Sequence, residues 1–490
     1  MSRLVSFSGK PAAEGGLCGV LAILLMVALV GMLDVGGSAE GLSSPANISN
    51  SEGESKRPAV AVGADGSVHV VWEDQSAGNW EIFYASKEPD GSWSPPTNVS
   101  QNPGGSFRPS VAVGTDGSVY VAWHDDTPGN YEIFYAVKPP GGVWSDAVNI
   151  SNSSKWSFWP SLVVGAEGFL HAAWHDQTPG NWEAFSASKP PDGAWSPVTN
   201  LSNSAGTSFI PTLLIAGDGL VYAVWQDDTS GSSDVFSASR PPEGPWSAPV
   251  NLSGTGTDSA PFAAAQSPDG SLRVVWREAT ADGPRLLSVT RLPGQPWSSP
   301  EDLGGSIAPS GRFAIGTGED GSLYLLWDDP ARGNGGVLFA TKAPGGPWSS
   351  PFEVSDNPGE SSLGGIATAR EGSAHIVWRD EELGRGEIFY WQWFPESGSK
   401  ASIPPEGMRV VRLSPGCSPV TSGYPDSTAA ETLAGAVSPA EALFALWKPK
   451  GEGWLGYSPS YPSVSDPFRQ GFHGLFFICT SGEAEFLMPL

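Results

Sequence analysis

Apolar and polar positions follow one phrase that recurs along the chain. In its first copy a β-rich run at 57–63 (RPAVAVG) is broken by ADG and resumes as SVHVVWE over 67–73. A polar loop at 74–78 follows, then the alternating run NWEIFYASK over 79–87, the turn EPDG, and SWSPPTNVS over 92–100. Short runs of this kind bounded by Gly, Pro and Asp predict four antiparallel strands. The second run is apolar on both faces, at Val70 and Val71, as expected of a strand packed between neighbouring sheets. Its tryptophan recurs every 51 residues, as Trp72, Trp123, Trp174, Trp225, Trp276, Trp327 and Trp378. Strands joined only by tight turns at this period predict a propeller rather than a solenoid, because each copy buries its faces only against its neighbours. The expected fold is all-β, a seven-bladed β-propeller of four-stranded antiparallel blades over 42–398.

The last copy is incomplete. Where earlier copies carry Trp93, Trp144, Trp195, Trp246, Trp297 and Trp348 on the outer strand, the seventh has Ser399. The segment SSPANIS at 43–49 lies one period before SPPTNVS and has no blade of its own. It is expected to supply the missing strand and close the ring, hiding the sheet edges. Beyond 398 the pattern stops. Residues 405–490 read as a small separate α+β or β module, with a helix-like stretch near 429–437 between strand-like runs.

Composition narrows the setting. Among 490 residues, 26 Lys and Arg stand against 52 Asp and Glu, and a net charge of −26 repels nucleic-acid phosphates and anionic lipid surfaces. Arg3 and Lys10 precede an apolar run at 17–33 and the small residues Gly37, Ser38 and Ala39. Residues 1–39 therefore read as a signal peptide cleaved near Ala39, the alternative being an uncleaved anchor. Export leaves a secreted or surface-held chain without a further span, expected to be a monomer. Cys417 and Cys479 are then an even count in an oxidising compartment and are expected to form a disulfide.

The turn ahead of the outer tryptophan carries a family resemblance. SKPPDGAW at 188–195 and SKEPDGSW at 86–93 resemble the Asp-box of sialidase-type propellers, the bacterial neuraminidase repeat Ser/Thr-x-Asp-x-Gly-x-x-Trp. Ser188 with Trp195, Thr290 with Trp297 and Thr341 with Trp348 keep its frame, whereas Asp192 and Gly193 sit at its fifth and sixth positions, so the box is degenerate. The resemblance implies a propeller and, in the catalytic members, three arginines on a substrate carboxylate, a tyrosine activated by a glutamate, and an aspartic acid/base. Arg108 in SFRPSV is the nearest match to the family's arginine-proline motif. Arg57 repeats it and Trp159 replaces it in the third copy, which argues against a catalytic role. The catalytic propellers of that family have six blades, and no tyrosine–glutamate pair, HExxH, Gly-x-Ser-x-Gly or phosphate loop is found here. The expected function is non-catalytic binding of a glycan. The alternatives are an exo-acting glycoside hydrolase of sialidase type and a scaffold for an extracellular protein partner.

Candidate binding residues come from two loop sets on one face. Blades one to three carry GNWE, GNYE and GNWE, with Trp80, Tyr131 and Trp182 where later copies have Ser233, Pro284, Gly335 and Gly386. Such rings form platforms for sugars, with His124 and His175 as neighbouring donors and Arg57, Arg108 and Trp159 opening the strands below; packing between blades is the alternative. An acid stands two residues after each repeat tryptophan: Asp74, Asp125, Asp176, Asp227, Glu278, Asp329 and Asp380. These are expected mainly to fix loops through backbone N–H groups, calcium being the one ion such a ring could take; no other cofactor or metal is implied. His69, His171 and His375 alternate with Tyr120, Tyr222 and Tyr324 and read as interblade packing. The NxS triplets at Asn47, Asn98, Asn149, Asn200 and Asn251 are expected to tie each outer strand to the next blade.

Overall fold

The computed structural model describes residues 45–395, apart from Asp90 and the stretches 305–306, 308, 310, 330–334, 356–359 and 382–383, together with the backbone of six strands within 408–489. The first blade is β2 (Ser55–Val62), β3 (Val68–Asp74), β4 (Glu81–Lys87) and β5 (Thr97–Asn98), paired in that order and all antiparallel. The same four-stranded sheet recurs six times, giving a seven-bladed propeller. The 1–39 segment and the helix-like stretch near 429–437 lie outside the described residues.

Each blade's second strand is its most buried. All seven residues of β3 are buried, and Trp72 is completely so. The core lies between blades: Val71, Ile82 and Tyr84 of the first pack with Val119, Val121 and Trp123 of the second. The outer tryptophan reinforces this joint. Trp144 stands edge-on to Tyr84 at 5.1 Å, Trp195 to Tyr135 at 5.1 Å and Trp93 to Tyr390 at 4.9 Å. Each of these outer rings is half-buried against its interblade cluster.

Outer strands are shorter than the sequence pattern implies. Ser94 donates its N–H to the Ser86 carbonyl at 2.8 Å, and its hydroxyl accepts the Ser86 N–H at 3.0 Å. Pro95 and Pro96 then have no N–H to extend the ladder, so only Thr97 and Asn98 pair regularly. The ring closes as expected. β1 (Ala46–Asn47) pairs with β28 (Glu387–Trp393), Ala46 opposite Tyr390 and Asn47 opposite Phe389, completing the sheet with β27 (Ala374–Asp380) and β26 (Ser361–Thr368).

The NxS triplets act differently from the expectation. The Asn98 amide oxygen accepts the N–H of Gln101 at 3.1 Å, while the Ser100 hydroxyl bonds Glu81 and accepts the Ile82 N–H at 2.9 Å. They staple the outer strand to its own blade. The link to the next blade comes from Asn102, whose Nδ2 donates to Asp125 at 2.6 Å.

In the tail, β30 (Gly416–Ser422), β33 (Gly474–Thr480), β31 (Ala442–Trp447) and β32 (Trp454–Tyr457) form one antiparallel sheet, and β29 (Met408–Leu413) pairs with β34 (Ala484–Pro489). The backbone register sets Cys417 directly opposite Cys479.

Candidate ligand-binding site

A repeated irregularity in the first strand of four blades builds the site. Register slips between Lys56 and Ala59 in β2, Phe107 and Ser110 in β6 (Ser106–Val113), Phe158 and Ser161 in β10 (Ser157–Val164), and Phe209 and Thr212 in β14 (Ser208–Ile215). Within each slip one residue takes the left-handed region: Arg57, Arg108, Trp159 and Ile210, with φ between 51° and 54°. A bulge of this kind bends the strand and re-aims a side chain, and clusters of such strained residues mark functional sites. At the equivalent places in later blades Pro261 is barred from positive φ by its ring, and Arg312 and Leu363 do not adopt it.

Beside these bulges lies a cavity of about 460 Å³, within the range of small-ligand sites. It is lined by Arg57, Phe107, Arg108, His124, Tyr131, Phe158, Trp159, His175, Trp182 and Phe209. The rings form a continuous wall. Tyr131 lies 4.8 Å from Phe158, Phe158 5.6 Å from Trp182, and Trp182 6.3 Å from Phe209, centroid to centroid. His175 touches Trp159 and Trp182, each at 5.0 Å.

Charge is concentrated on the blade-one side. Glu73, fully buried at the end of β3, accepts Arg57 Nη1 at 2.9 and 3.2 Å and the main-chain N–H of Arg108 at 2.7 Å. Burial pushes its carboxyl upward, and Arg57 offsets part of that shift. The Arg108 guanidinium lies over the Trp159 ring, 4.9 Å from its centroid. Burial, with Arg57 second, lowers it to about 10, so it stays cationic at neutral pH.

The structure thus brings seven of the eight sequence-derived candidates to one cavity. The eighth, Trp80, is not among the lining residues, and the Lys56 ammonium sits 3.5 Å from its ring centroid. His124 and His175 are wall rather than exposed donors, 6% and 2% exposed, and burial drives both down to about 3, leaving them neutral. Phe107, Phe158 and Phe209 were missed by sequence reasoning. Their signal was present, because the residue before each bulge is aromatic only in blades two to four, against Lys56, Ala260, Gly311 and Ser362 elsewhere.

The loop acids are engaged within the scaffold. Asp74 accepts Ser51 and Ser55 hydroxyls at 2.8 Å, the Ser76 N–H at 2.9 Å and the Trp72 indole N–H at 3.0 Å. Asp125, Asp176, Asp227, Glu278 and Asp380 take the matching serine hydroxyl from Ser106, Ser157, Ser208, Ser259 and Ser361. Asp329 occupies the same place, with its main-chain N–H on Gly336. Among the described residues no group of three or more His, Cys, Asp or Glu is placed to hold a metal ion. His69 and His375 bond Tyr84 and Tyr390, each at 2.8 Å, and the degenerate box turns contribute nothing to the cavity.

No protein-family model matches the chain, and no curated protein matches it. Several solved structures are similar. An ulvan lyase bound to -[GlcA(1-4)Rha3S]- is 10% identical, with 71% of this chain and 93% of that chain covered and a TM-score of 0.47. An α-L-arabinofuranosidase of Fusarium graminearum in complex with arabinobiose is 13% identical over 72% of this chain and 98% of its own, TM-score 0.44. A subtype N10 neuraminidase-like protein of A/little yellow-shouldered bat/Guatemala/060/2010 is 10% identical over 60% of this chain and 94% of its own, TM-score 0.42.

Proposed function

We propose that the chain is an exported glycan-binding protein whose ligand occupies the aromatic cavity of blades one to four. The observation that carries this reading is the wall itself: the half-buried rings of Tyr131, Trp159 and Trp182, with the Arg108 guanidinium beside them. Flat apolar faces suit the C–H faces of a sugar, and a guanidinium offers hydroxyls or acidic groups a fork of N–H donors. Binding is favoured over hydrolysis because none of the ten lining residues is a carboxylate, and the usual glycosidase mechanism needs two.

The test is a glycan array probed with the chain from Glu40 onward, with and without a calcium chelator. Selective binding that falls at least tenfold in Trp182→Ala and Trp159→Ala, with unchanged melting, supports the reading. The Trp80→Ala variant should keep it. Selective binding indifferent to Trp182 and Trp159 would place the ligand elsewhere, and a blank array would favour a protein partner.

A further inference from the structure

One indole stands apart from the others. Trp156, in the loop entering β10, is 51% exposed, the only exposed tryptophan among the described residues. Its place in the repeat is held elsewhere by Glu54, Gly105, Thr207, Asp258, Pro309 and Glu360, so no blade geometry calls for an aromatic there. Its backbone carbonyl does the ordinary structural work, accepting the Gln177 N–H at 3.1 Å. The ring lies 6.3 Å from Phe158, itself part of the cavity wall, and Ser157 between them is tied to blade two through the Tyr131 carbonyl at 2.8 Å. An exposed indole continuous with a half-buried aromatic wall is a surface without a partner of its own, and a large apolar ring left in water loses the burial it could gain from a ligand.

We infer that Trp156 is an outer stacking subsite and that the ligand is an oligosaccharide chain: one unit sits in the cavity and further units run out across the rim of blade three onto this ring. The inference rests on the glycan reading of the cavity and adds ligand length and direction to it. Trp156 touches neither the charged pair of blade one nor the interblade core, so its removal leaves the inner site intact.

Binding is measured on arrays bearing matched mono- to hexasaccharide series of neutral and uronic-acid glycans, using the unaltered chain, Trp156→Ala, Trp156→Phe and Trp182→Ala. The unaltered chain should bind longer members of one series more tightly. In Trp156→Ala that gain should shrink by roughly tenfold, the size of one aromatic stacking contact, while the shortest bound member keeps its affinity. Trp156→Phe should restore most of the gain, and Trp182→Ala should weaken every length. If Trp156→Ala retains the full length dependence, or loses short and long members alike, the subsite is wrong while the cavity reading stands. An unaltered chain that binds no series overturns both.

Discussion

Glu73 of the first blade accepts the main-chain N–H of Arg108 of the second at 2.7 Å, and its carboxylate also holds Arg57. One buried side chain thereby fixes two adjacent bulges, so its loss should disturb both. Glu73→Ala leaves the Arg108 N–H unsatisfied and should cost ~1–3 kcal/mol. Glu73→Gln keeps an acceptor and removes a charge that burial disfavours, so it should cost less. Urea denaturation of both variants checks the order. Equal losses would mean that the ion pair with the half-exposed Arg57, rather than the bond to Arg108, matters.

The left-handed bulge makes a second prediction at Ile210, where a β-branched residue has φ of 52° and is 42% exposed. That conformation costs an ordinary side chain ~1–2 kcal/mol, whereas glycine adopts it freely at an entropic cost of ~0.5–1 kcal/mol. Ile210→Gly should therefore leave the melting temperature unchanged or raise it. Ile215→Gly, in the same strand without positive φ, should lower it. A clear fall for Ile210→Gly would show that its packing outweighs its strain.

Acid should destabilise the propeller through its histidines. Burial lowers His69, His171 and His375 to about 4 and His124 and His175 to about 3, below the ordinary value near 6.5. Between these limits the unfolded chain takes up protons that the folded one refuses. Stability is complete above about pH 6.5 and falls towards pH 4, by up to ~1.4 kcal/mol per pH unit for each histidine. Glu73 and Glu81, raised by burial, work in the opposite sense and soften the fall. Neither ring nitrogen of His171 has a hydrogen-bond partner, and tyrosine holds its place as Tyr120 and Tyr222. His171→Tyr should flatten the acid limb in denaturant midpoints measured from pH 7 to 4.5. A slope unchanged by that substitution would place the acid sensitivity elsewhere.

Much of this architecture was legible because a 51-residue period carries its own register: strand, turn and buried Trp123 occupy the same slots as Trp72 and Trp174. The closing strand was legible for the same reason, as an outer-strand phrase without a blade. Tyr131 and Trp182 could be picked because they break the repeat. Glu73 was harder, since the slot after each repeat tryptophan keeps no single chemistry, running through His124, His175, Gln226, Arg277, Asp328 and Arg379. The left-handed turn at Arg57, Arg108, Trp159 and Ile210 had no sequence signal: none is Gly or Asn, and the following proline constrains them without dictating positive φ.

Closure of the ring supplies the last prediction. The Ser49 hydroxyl donates to Glu387 and accepts the Ile388 N–H at 2.9 Å, the same joint that Ser100 makes with Glu81 and Ile82 inside blade one. Ser49→Ala and Ser100→Ala should therefore lower stability alike, by ~1–3 kcal/mol, because each leaves a buried carboxylate and N–H short of a partner. Their local consequences should differ. The outer strand that leads into Ser100 follows its partner β4 directly in the chain, whereas β1 joins β28 from a segment remote in sequence, and its two paired residues can peel away without unfolding a blade. Amide exchange at Ile388 should accelerate in Ser49→Ala well beyond the change in global stability, while Ile82 in Ser100→Ala should track that change. If both amides follow global unfolding, the closing strand opens only with the whole ring, and the joint is as cooperative as a covalent one.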